Sequence, residues 1–161
     1  MPVGLHVLKI AFVLSAVKLS ICLAQNPQIK RILDKAQLSY TVDEEGDFRM
    51  TFEVSNERTQ MVFILSKVEQ FGEESIVEIW SPAYKGSEVS RETLLLLSTD
   101  GTKRKVGGWE IVYGEGLVYA IFKVKVPLSS LKPTFIRSVC AGVAGVADEI
   151  EQQVTGGMDE F

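Results

Sequence analysis

Trp109-Glu110-Ile111-Val112-Tyr113-Gly114-Glu115-Gly116-Leu117-Val118-Tyr119-Ala120-Ile121-Phe122-Lys123-Val124-Lys125-Val126 is the stretch that decides the fold. Two β-rich arms flank Gly114-Glu115-Gly116, a short glycine-containing link of the kind that reverses a hairpin. In the second arm Val118, Ala120, Phe122, Val124 and Val126 alternate with Tyr119, Lys123 and Lys125. A period of two with one apolar side predicts a strand lying with one face on a core.

Upstream, Phe48, Met50, Phe52 and Val54 alternate with Arg49, Thr51 and Glu53 in the same way. The polar Asp43-Glu44-Glu45-Gly46-Asp47 bends the entry to that strand. Asn56-Glu57-Arg58 reads as a hairpin connection into a second strand, Gln60 to Lys67. Its continuous apolar run, Met61 to Leu65, predicts cover on both faces. Phe71-Gly72-Glu73-Glu74 is the next turn, and a third strand runs from Ser75 to Trp80. Ser81-Pro82 should end it, because proline cannot donate to a ladder and restricts the residue before it.

Three stretches have helical spacing. Asn26 and Pro27 form a cap and first position for a helix over 27–38, with Ile29, Ile32, Leu33 and Ala36 on one side. Ser87 to Ser98 predicts a second helix, with Val89 and Leu94–Leu97 apolar, stopped by Asp100-Gly101. Pro133 opens the last, in which Ile136, Val139, Cys140, Val143, Val146, Ala147, Ile150 and Val154 recur at i, i+3, i+4. Gly156-Gly157 supplies its stop. Gly142 and Gly145 each cost about 1 kcal/mol of helix propensity against alanine, so close packing is expected there. The tail, Met158 to Phe161, is expected to fray.

The predicted order is helix, three strands, helix, two strands, helix. That is a single-domain α+β protein with a five-stranded, mostly antiparallel sheet. On that order the mature chain resembles the bacterial YbjN family, domains with the fold of type III secretion chaperones. The local stretches that carry the resemblance are Asp43–Val54, the leucine-rich segment ending in Ser98-Thr99-Asp100-Gly101, and Leu117–Leu131 running into the final helix. These are packing and turn patterns rather than a catalytic fingerprint. The resemblance implies a chaperone-like or regulatory protein-binding module of bacterial origin, and it assigns no site residues. Many members of the family resemble cytoplasmic proteins, whereas residues 1–24 of this chain predict export, and the chain is glycine-rich at Gly107-Gly108 and within the last helix.

Residues 1–24 differ from the rest of the chain. They hold His6, Lys9 and Lys18, no acid, and an apolar run from Ile10 to Val17. A basic start, a short apolar centre and Cys22-Leu23-Ala24 before polar Gln25 predict a secretory signal cut after Ala24. The apolar run falls well short of the ~20 residues that span a bilayer. Lipid anchoring at Cys22 is the weaker reading, since bulky Ile21 occupies the place of a small residue. The expected location is periplasmic or secreted, over a domain of residues 25–161.

The chain has 161 residues, a net charge of −4 and one histidine, His6. Removing the leader removes that imidazole, and with it any Ser-His-Asp, Cys-His or His-ligated metal arrangement. No enzyme activity, metal or other cofactor is expected. The acidic balance argues against nucleic-acid binding, which needs clustered cations to displace phosphate counterions. Cys140 alone remains of two cysteines, and its place on the apolar stripe predicts a buried small hydrophobe rather than a reactive thiol.

Charged clusters carry little chemistry. Asp43, Glu45 and Asp47 lack the glycine placement and the later glutamate of a calcium loop. Glu73-Glu74 are turn neighbours whose carboxylates diverge. Lys103-Arg104-Lys105 reads as a solvated connection, and Asp148, Glu149, Glu151, Asp159 and Glu160 as a solvated acidic face. Four aromatics are the candidate partner-binding residues: Trp80 and Tyr84 about Ser81-Pro82, and Trp109 and Tyr113 on one face of the fourth strand. Each combines contact area with a polar tip. The alternative is that they pack under a helix. The function expected is an exported, non-catalytic protein-interaction module, its partner another protein or a second copy in a homodimer. The rival is a periplasmic domain that binds a small molecule or envelope component between the sheet and the last helix.

Overall fold

The computed structural model describes residues 25–161 except Asn56. The leader, its cut after Ala24 and Cys22 lie outside the described residues. Helix α1 (Pro27–Lys35) begins where Asn26 Oδ1 accepts from the amides of Gln28 and Ile29. A side-chain acceptor there satisfies amides that have no intrahelical partner. Strands β1 (Thr41–Val42), β2 (Phe48–Glu53), β3 (Thr59–Ile64), β4 (Glu69–Phe71) and β5 (Glu74–Gly86) come next. Helix α2 (Arg91–Gly101), strands β6 (Gly108–Gly114) and β7 (Leu117–Pro127), and helix α3 (Pro133–Thr155) complete the chain.

The sheet is antiparallel at every described pairing, in the order β1-β2-β3-β5-β7-β6, with β4 folded back on β5. It has seven strands where the sequence predicted five. The two additions, β1 and β4, are two and three residues long, too short for a period of two to register. The α+β class and the order of the longer elements stand.

One face of the sheet is covered. Phe48, Met50, Val62, Ile64, Val77, Ile79, Phe122 and Val124 meet Ile29, Leu33, Ile136, Cys140 and Val143 in the main core. Fully burying a side chain of this kind is worth roughly 1.5–3 kcal/mol. Ala83, Leu97, Ala120, Ala147 and Ile150 form a second cluster beneath α2 and the end of α3. Cys140 is fully buried, as its place in the stripe predicts.

The third strand does not end at Pro82. It continues to Gly86, with a register shift between Pro82 and Tyr84. Bulges are where strands tolerate proline, since the ladder is already interrupted. On the β3 side the ladder covers only Phe63↔Trp80 and Ile64↔Ile79. Past it, Ser81 Oγ donates to the Met61 carbonyl at 2.6 Å and Gln60 Nε2 to the Pro82 carbonyl at 2.6 Å. Side chains thus take over the bonding that the backbones no longer make.

Helix α2 starts later than predicted, at the Ser90 cap, and keeps Asp100 and Gly101 in its last turn. Asp100 does not act as a breaker because its carboxylate is occupied. It accepts from Arg104 Nε and Nη2 at 2.8 and 2.5 Å and from Trp109 Nε1 at 2.8 Å. Arg104 also reaches Glu149 at 2.7 Å, so the centre of Lys103-Arg104-Lys105 is an anchor rather than a solvated loop residue. Burial opposes the charge on Asp100, but Arg104 and Trp109 outweigh it and hold its carboxyl below the ordinary range.

The acidic face of α3 is likewise corrected. Asp148 and Glu151 are buried, and Arg58, from the β2–β3 connection, donates to both at 2.5 and 3.0 Å. The tail is docked, not frayed. Arg58 Nη1 donates to the Gly157 carbonyl, the Glu160 amide to Glu151 Oε1, and the Met61 amide to the Phe161 carbonyl. Glu151 and its partner Arg58 therefore serve as attachment points for the tail.

Gly142 and Gly145 do not mark close packing: a Cβ at either would meet no atom within 4 Å. Among the described residues no helix is long and apolar enough to cross a membrane.

Candidate functional site

The alternation that buries one side of each strand sets a second row of side chains on the helix-free face. Register fixes its members. Phe63 lies opposite Trp80, Trp80 opposite Lys123, Ile121 opposite Glu110, and Tyr119 opposite Val112. Phe63 and Trp80 stack with ring centroids 4.3 Å apart and planes 12° from parallel. Met61, Pro82, Val112, Tyr119 and Ile121 continue the patch, and Phe161 of the docked tail lies against it. Together they line a shallow groove of about 190 Å³.

A charge ladder borders this patch. Glu78 receives Lys123 at 2.9 Å and Lys125 at 2.8 Å, and Lys123 also reaches Glu110 at 2.7 Å. Glu78 is mostly shielded from solvent. Burial raises its carboxyl, but the two ammonium groups more than compensate and hold it below the ordinary value. Opposite charges across strands neutralise one another and fix the strands' register. The patch is thus an apolar centre bordered by paired charges.

The four aromatic candidates do not share one surface. Trp80 is on the helix-free face. Tyr84, four residues on, would share that face in an uninterrupted strand. The bulge at Ala83 inserts a residue and changes the phase, so Tyr84 packs with the helix-side cluster and donates to the Glu88 carbonyl at 2.6 Å. Trp109 is on the helix side too, tilted against Phe122 at 5.1 Å and bonded to Asp100. Tyr113, on the same face of β6, is 81% exposed near the hairpin end. The four are thus divided between a surface patch, two packed positions and an isolated exposed ring.

The members that sequence reasoning missed are Met61, Phe63, Pro82, Val112, Tyr119, Ile121 and Phe161. Met61 and Phe63 sit in the run read as covered on both faces. One face of β3 does meet the helices; the other meets this patch and Phe161, and both residues are half-buried. Tyr119 and Ile121, out of phase with the core residues of their strand, were the available signal.

Asp43, Glu45 and Asp47 form a turn held by Asp43 Oδ1, which accepts from the amides of Glu45 and Asp47. Among the described residues no group of three or more His, Cys, Asp or Glu side chains is placed to hold a metal ion. No family model and no curated protein matches the chain.

Proposed function

We propose that this chain is an exported, non-catalytic protein-interaction module, chaperone-like or regulatory, of the kind its resemblance to the YbjN family implies. The observation that supports it is the aromatic patch on the helix-free face, centred on the Phe63–Trp80 stack. Large rigid rings bring contact area at low entropic cost, and a partner that covers them removes apolar surface from water. The paired charges of Glu78, Lys123, Lys125 and Glu110 give that surface a rim that needs no counter-ion from the partner. The partner is a protein presenting an apolar strand or helix face, a second copy of this chain included.

The test is recovery of the crosslinked, tagged protein from its own cells, with partners identified by mass spectrometry. The expected result is a reproducible protein recovered with the unmodified chain and with Tyr113→Ser but lost with Trp80→Ser. Recovery that is indifferent to Trp80→Ser would overturn the reading.

A further inference from the structure

On the opposite side of the molecule α3 does not close fully on the sheet. A groove of about 390 Å³ runs between them, floored by Phe122 and Val124 and walled by Val139 and Val143. That volume lies within the range of small-molecule sites. Two apolar residues at its lip are left to solvent, Val106 at 65% exposure and Phe135 at 43%. Gly142 keeps the helix wall low, since a side chain there would project into open space.

The charge that lines it is of one sign, with Asp100 and Glu149 beside it on Arg104. Lys103, Arg104 and Lys105 line the groove and no carboxylate does. Arg104 is committed to Asp100 and Glu149. Lys103 and Lys105 are exposed and make no ion pair among the described residues. An apolar trough with two unpaired ammonium groups at its rim is complementary to a molecule with an aliphatic body and an anionic head.

We infer that this groove binds a long-chain carboxylate, with its chain along Phe122, Val124 and Val139 and its head at Lys103 and Lys105. This site is separate from the sheet-face patch, so either can fail without the other.

The experiment is titration calorimetry of the purified protein with three probes of equal chain length, each below its micelle concentration: dodecanoate, dodecanol and dodecyltrimethylammonium. Dodecanoate is expected to bind at one per chain, more tightly than dodecanol, with no detectable binding of the cation. Lys103→Glu with Lys105→Glu should weaken dodecanoate about five- to tenfold, the scale for exposed charge pairs, and leave dodecanol unchanged. Gly142→Leu should fill the trough and abolish binding of both while the thermal midpoint is kept or raised. Trp80→Ser should change nothing here. Equal binding of anion and cation, or dodecanoate binding that survives Gly142→Leu in a folded protein, would overturn the assignment. So would an absence of dodecanoate binding to the folded protein; if Gly142→Leu then also turns a dimer into a monomer, the groove is a self-association surface instead.

Discussion

Trp109 Nε1 donates to Asp100 Oδ2 at 2.8 Å, joining the edge strand β6 to the last turn of α2. The same carboxylate takes both Arg104 bonds, so Asp100 holds together a helix end, a connection and a strand. Asp100→Asn is expected to cost about 1–3 kcal/mol, the range for a buried group losing its charged partner. The folded-state carboxyl lies below its ordinary 3.8. Its contribution is therefore present above that value and lost as pH falls through the lowered one. Urea unfolding of both proteins should show the gap at neutral pH and its narrowing in acid. A gap that is independent of pH would contradict this.

Arg58 supplies the counter-charge for Asp148 and Glu151, both buried on α3. Arg58→Met leaves two carboxylates without it, and a loss of about 3–5 kcal/mol is expected. Burial raises the Glu151 carboxyl above its ordinary 4.5, which Arg58 and the Glu160 amide offset only in part. A raised carboxyl stabilises the fold fully below the ordinary value, and that contribution is lost as pH rises through the raised one. Without Arg58 the cost of the charged form grows. Denaturation midpoints should therefore show the variant's deficit widening from acid to neutral pH.

Two glycines should respond to alanine with opposite signs. At Gly142 a Cβ meets nothing, so Gly142→Ala is expected to stabilise by about 1 kcal/mol through helix propensity. Gly107 has φ +82°, and a Cβ there would lie 2.7 Å from the Lys123 carbonyl oxygen. Gly107→Ala should destabilise by more than about 1 kcal/mol. Calorimetric melting of the two variants checks both.

Cys140 is buried against the sheet, and burial pushes its thiol up to about 12. Since the thiolate is the nucleophile, a thiol reagent at neutral pH should label it only as fast as the chain opens. Rapid labelling of the folded protein would contradict its place in the core.

What the sequence made legible was what local pattern controls. Glu115 and Gly116 turn the β6–β7 hairpin with φ of 53° and 77°, two left-handed residues in the place where the glycines predicted a reversal. Pro133 and Gly156 bound α3 as expected, with Gly156 left-handed at φ 69°. What escaped was set by partners distant in sequence. Asp148 and Glu151 look like a solvated face until Arg58, some ninety residues earlier, is brought against them. The bulge after Pro82 leaves no mark on the alternation of so short a segment, yet it alone separates Trp80 from Tyr84. The open-face patch is assembled by register across β3, β5, β7 and β6, which no single stretch displays.

The central claim is that the helix-free face carries the partner, and site-specific photocrosslinking in the native cell tests it most directly. A photoreactive residue placed in turn at Phe63, Trp80 and Tyr119 should capture one and the same protein. The same residue at Ser138 and Gln153, on α3, should not capture it. Capture of that protein from the α3 positions, with none from the three sheet positions, would contradict the account.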